Sequence, residues 1–124
     1  MMSHNPAIGL VAGLAFALVA SAASAHALLK TAVPAVGGTV TASPKEIRIK
    51  FSEGVEPRFS GVALASEAGV AAPIGKPSVD PADDSVLIAP VSQPLKPGVY
   101  TVTWHAVSVD THKTQGSFNF TLAP

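Results

Sequence analysis

Tyr100-Thr101-Val102-Thr103-Trp104-His105-Ala106-Val107 decides the fold class. Tyr100, Val102, Trp104 and Ala106 alternate with Thr101, Thr103, His105 and Val107. A period of two belongs to a strand with one buried and one wet face. Just upstream, Pro94-Leu95-Lys96-Pro97-Gly98 punctuates the chain where a turn should feed that strand. Downstream, Phe118, Phe120 and Leu122 alternate with Ser117, Asn119 and Thr121, so two strong strands flank the loop from Ser108 to Gly116 as a hairpin. Working back toward the N-terminus, Ile47, Ile49 and Phe51 alternate with Arg48, Lys50 and Ser52, and Val62 and Leu64 repeat the pattern briefly. Val86-Leu87-Ile88 is a short apolar run between Asp84-Ser85 and Ala89-Pro90. Pro and Gly recur throughout and leave no uninterrupted helix-length segment. The expectation is an all-β domain, a sandwich or barrel. The Pro- and Asp-rich stretch from Ala71 to Asp84 reads as a long connection or an irregular edge, and there is no internal repeat or linker.

Ahead of this domain, Ile8 to Ala20 is apolar and rich in Ala, Leu and Val, and Ala23-Ser24-Ala25 follows. An A-x-A tripeptide after an apolar run marks a secretory cleavage site. Residues 1–25 are therefore expected to be a signal peptide, with a mature domain over 26–124 exported to the periplasm. Met1 to Pro6 departs from the pattern by holding no Lys or Arg, so a retained N-terminal anchor is the alternative. The apolar run is short for one, since a spanning helix needs ~20 apolar residues. The 26–124 segment has the size of one compact domain.

The eight Lys and Arg balance eight Asp and Glu, and all of them follow residue 25. A formal net charge of zero argues against nucleic acid or an anionic membrane surface as partner, since both call for a basic patch. The chain has no cysteine, and its two methionines stand at positions 1 and 2. Thiolate and thioether ligands are thus excluded from the mature domain, and any metal there must be held by nitrogen and oxygen.

Cleavage after Ala25 would make His26 the first residue, with a free α-amine beside its imidazole. Those two nitrogens can close a chelate ring that no internal histidine offers. A second pair of donors lies in the hairpin loop: Asp110 and His112, two positions apart, would point to the same side of an extended backbone. Alone, D-x-H is a weak signal, because Asp in loops commonly bonds its own backbone and a loop His is commonly just solvated. Coupled to a terminal histidine, it becomes a candidate metal site. His105 falls on the strand face opposite Trp104 and reads as a surface residue. Tyr100, Trp104, Phe118 and Phe120 read as core.

Four blocks in order carry a family resemblance. They are His26-Ala27-Leu28-Leu29 with Ala32-Val33-Pro34-Ala35 and Gly37; Ile47 to Glu56 (IRIKFSEGVE); Pro94 to Trp104 (PLKPGVYTVTW); and Val107-Ser108-Val109-Asp110-Thr111-His112 with Gly116, Phe118 and Phe120. Nearly end to end, the mature chain resembles the CopC family of periplasmic copper-binding proteins. The resemblance implies a single Greek-key β-sandwich or barrel of the immunoglobulin-like or cupredoxin-like kind. It also implies one Cu(II) per chain, held by His26 (amine and imidazole), Asp110 and His112. Three nitrogens and one oxygen suit the tetragonal preference of Cu(II). Glu53 aligns with a family glutamate sometimes assigned near the metal and stands second to these three, because a strand-end Glu is more often solvated. Some relatives carry a Met-rich segment that holds Cu(I). This chain has none, so it is expected to bind Cu(II) only.

The implied role is non-enzymatic. A monomer would sequester copper or deliver it to an inner-membrane transporter of the CopD type. The alternative class is a copper-dependent oxidative enzyme, since a histidine brace is also seen in lytic polysaccharide monooxygenases. A carboxylate in the copper plane disfavours that chemistry, which needs an open metal position. A third reading, a metal-free adhesion module, becomes the default if His26 keeps no free amine.

Overall fold

The computed structural model describes residues 26–124; the expected signal peptide lies outside the described residues. Nine strands follow one another: β1 (Leu29–Val33), β2 (Thr39–Val40), β3 (Glu46–Phe51), β4 (Gly61–Ser66), β5 (Ala71–Ala72), β6 (Ser78–Asp80), β7 (Asp83–Pro90), β8 (Gly98–Val107) and β9 (Lys113–Leu122). A 3-10 turn at Pro57–Phe59 separates β3 from β4. The strands form a four-stranded sheet in the order β1-β3-β7-β6 and a five-stranded sheet in the order β2-β9-β8-β4-β5. All pairings are antiparallel except β2 with β9, and the chain crosses repeatedly between the sheets. This is the β-sandwich that the alternations called for. Among the described residues no helix is long and apolar enough to cross a membrane.

The core is the set of inward positions of the alternating runs. Ile47, Ile49 and Phe51 of β3 are fully buried, as are Leu87 and Ala89 of β7. Facing them across the sandwich are Tyr100, Val102, Trp104 and Ala106 of β8 with Phe118, Phe120 and Leu122 of β9. Phe51 meets Trp104 edge to face at 5.1 Å between ring centres, which ties the two sheets together. Tyr100 stacks on its cross-strand partner Phe120, and its hydroxyl donates to the Lys96 carbonyl at 2.6 Å, so the buried phenol is not left unpaired. On the outer face of the four-stranded sheet, Arg48 pairs with Glu46 and Asp80, and Lys50 pairs with Asp83. The stretch from Ala71 to Asp84 holds more order than a connection. It supplies β5 and β6, short strands at the outer flank of each sheet, and the start of β7. Pro73, Pro77 and Pro81 keep those strands short by removing ladder donors.

The β8–β9 ladder runs unbroken from Gly98↔Leu122 to Val107↔Lys113, which leaves Ser108–His112 as the hairpin connection. Residues 26–28 reach that same end of the sandwich, where Thr114 of β9 bonds to Ala27.

Candidate metal centre

Two segments remote in sequence meet there. The His26 and His112 rings lie 4.7 Å apart, centre to centre, with their planes tilted by 60°. His112 Nδ1 is 3.2 Å from Asp110 Oδ1, and both of those side chains are about half exposed. The three residues singled out from sequence are thus neighbours. Glu53 is half-buried on the adjoining loop, and among the described residues no hydrogen bond or ion pair joins it to the other three. His105 is exposed on the outer face of β8, where it covers Gly61.

The loop owes its shape to a tight turn and not to an extended pleat. Thr111 has a φ of 73°, in the left-handed region, and its N–H donates to the Ser108 carbonyl at 2.8 Å. The turn, not strand periodicity, brings Asp110 and His112 to one side. Ser108 is fully buried beneath it. Its Oγ accepts the His112 N–H at 3.1 Å and donates to Asp110 Oδ1. That hydroxyl, followed by the His112 imidazole, holds the Asp110 carboxyl well below the usual carboxylate range, at about 2. The adjoining loop props the hairpin from outside, with the Val109 N–H donating to the Gly54 carbonyl at 3.0 Å and the Glu56 N–H to the Val107 carbonyl at 2.8 Å.

The segment carrying His26 is held as closely. The Ala27 methyl is fully buried in the core. Ser52 Oγ accepts the Leu28 N–H at 2.8 Å and donates to the His26 carbonyl at 3.2 Å, while Thr114 Oγ1 donates to the Ala27 carbonyl at 2.8 Å. Sequence reading missed Ser52, Ser108 and Thr114. A hydroxyl two residues before the Asp of D-x-H was the available signal for Ser108, because Ser commonly bonds nearby backbone. For the other two, the partners are too remote in sequence to be visible.

Among the described residues no three His, Asp or Glu side chains converge closely enough to hold an ion by themselves. A shallow groove of about 600 Å³ on the outer face of the five-stranded sheet is lined by Gly61, Thr103, His105 and Gln115 among others, and takes in none of the candidate ligands.

Residues 29–123 match the CopC domain. The chain belongs to the CopC family. It is 41% identical over 109 residues to protein YobA of Escherichia coli K12, covering 88% of either chain. It is 40% identical over 124 residues to copper resistance protein C of Escherichia coli, covering 92% of this chain and 90% of that one. The crystal structure of PcoC, a methionine-rich copper resistance protein from Escherichia coli, superposes with a TM-score of 0.71 at 34% identity, covering 79% of this chain and 99% of that one. The sandwich is thus the CopC fold. Within it, this CopC protein differs from one named for its methionines, having none beyond position 2.

Proposed function

We propose that the mature protein starts at His26, resides in the periplasm, and binds one Cu(II) per chain through the His26 amine and imidazole, the His112 imidazole and the Asp110 carboxylate. The observation that carries this reading is the meeting of the His26 and His112 rings at 4.7 Å, with Asp110 in contact with His112. The donor chemistry fits: nitrogen and oxygen in the absence of any sulfur suit Cu(II), which also heads the Irving–Williams order. The names of its relatives support a role in copper resistance. The protein would act as a monomer that sequesters Cu(II) or passes it to an inner-membrane transporter of the CopD type. It would not act as an enzyme, because a carboxylate beside the two histidines closes the position that oxygen chemistry requires.

A titration of protein beginning at His26 tests this. One Cu(II) is expected to bind tightly, Zn(II) far more weakly and Cu(I) poorly, with the EPR spectrum of a tetragonal Cu(II). His112→Ala and Asp110→Ala should each weaken binding, and His105→Ala should not. Absence of Cu(II) binding, or its loss in His105→Ala, overturns the reading.

A further inference from the structure

A chain terminus is ordinarily the loosest part of a domain. A chelate built on terminal nitrogens is strong only where the terminus has been ordered before the ion arrives, so that binding does not bear that cost. Residues 26–28 are each tied to a neighbouring strand or loop by hydrogen bonds. Thr114 lies on the inward row of β9, in line with Gly116, Phe118, Phe120 and Leu122 and opposite the buried Ala106, where an apolar side chain would be the ordinary choice. Its hydroxyl is directed instead to the Ala27 carbonyl, 2.8 Å away. Ser52, just past the end of β3 in the other sheet, holds the His26 carbonyl and the Leu28 N–H with one hydroxyl, and its own N–H donates to the Leu28 carbonyl at 2.8 Å. Between the two hydroxyls the Ala27 methyl is plugged into the core. The backbone is thus fixed from the first carbonyl onward, and only bonds within His26 itself remain to set its nitrogens.

We propose that Thr114 and Ser52 are positioning residues for copper capture: a two-sided hydroxyl clamp, one jaw from each sheet, that holds the His26 nitrogens opposite His112 without touching the ion. The proposal rests on the Cu(II) reading above. It predicts that the clamp matters through the amine chelate, whereas a hydroxyl that merely satisfied a carbonyl would affect folding alone.

The test is a cycle between the clamp and the amine. Wild type, Thr114→Val, Thr114→Ser and Ser52→Ala are prepared beginning at His26, and again with one Gly added before His26. Cu(II) affinity is measured by competition with a chelator, the bound Cu(II) by EPR, and folding by thermal unfolding without metal. Thr114→Val should bind Cu(II) about 10-fold or more weakly, the range seen when a group supporting a metal ligand is lost, and should shift the EPR hyperfine splitting. Thr114→Ser should restore wild-type binding. With the added Gly, Thr114→Val should cause no further loss. Equal affinity of Thr114→Val and wild type, or the same fold loss with and without the added Gly, overturns the clamp. Should Thr114→Val fail to fold, Ser52→Ala, at an exposed position, carries the same cycle with the same deciding results. If wild type takes up no Cu(II), the Cu(II) reading and the clamp both fall. If wild type binds and the cycle shows no coupling, the clamp alone falls.

Discussion

Thr111 occupies a backbone conformation that suits glycine and is rare for a β-branched residue. Holding a non-glycine residue there costs on the order of 1–3 kcal/mol, and the surrounding bonds from Ser108 enforce it. Thr111→Gly should therefore stabilise the domain by about 1 kcal/mol, once the greater freedom of glycine in the unfolded chain is set against the relief. Thermal unfolding without metal checks this, and an unchanged or lower midpoint would contradict it. The same residue explains what was legible of the site. Residue types and spacing were enough to single out His26, Asp110 and His112. Their placement on one side followed from an extended backbone that the loop does not have. The left-handed turn depends on Ser108 being buried beneath it, and burial of a serine is a tertiary fact.

At the scale of strands, Gly116 shows how the hairpin is built around one large side chain. It stands opposite Trp104 on β8, and a methyl group there would lie 2.7 Å from Trp104 Cζ2. The indole is nearly buried and packs edge to face on Phe51, so it would have to shift a large ring to make room. Gly116→Ala should cost about 1–3 kcal/mol, as overpacking of a filled core does. Gly61→Ala makes the contrast: its methyl would meet the exposed His105 ring, which can swing into solvent, so the change should stay within about 0.5 kcal/mol. Urea unfolding of the two variants side by side separates them. Strands β3, β8 and β9 were readable because each is long enough to show its period and has one wet face. Thr39–Val40, Ala71–Ala72 and Ser78–Asp80 were not, since two or three residues cannot display a repeat and their pairing is decided by the long strands they flank.

For the molecule as a whole, acid is a distinctive stress. Asp83 is held down to about 2, first by Lys50 and then by Ser85, and Asp80 is lowered too, first by the Ala82 N–H and then by Arg48. A depressed folded value means that the stabilisation is complete above the ordinary 3.8 and is lost as pH falls through about 2. The urea midpoint should fall between about pH 4 and 2, and Asp83→Asn should make that fall shallower while lowering the midpoint at pH 7. A parallel fall in both proteins would show that Asp83 is not responsible. The meeting of Ala27 with Thr114, 87 residues apart in a chain without cysteine, has another consequence. Under the proposed Cu(II) reading, an ion shared by His26 and His112 would close residues 26–112 into a ring, as a long-range disulfide does in a secreted domain. At a free Cu(II) concentration a hundred times Kd, binding to the folded state alone would stabilise it by about 2.7 kcal/mol. Stripping the ion with a chelator should lower the melting temperature and let hydrogen exchange begin at β1, the strand that the knot would otherwise secure.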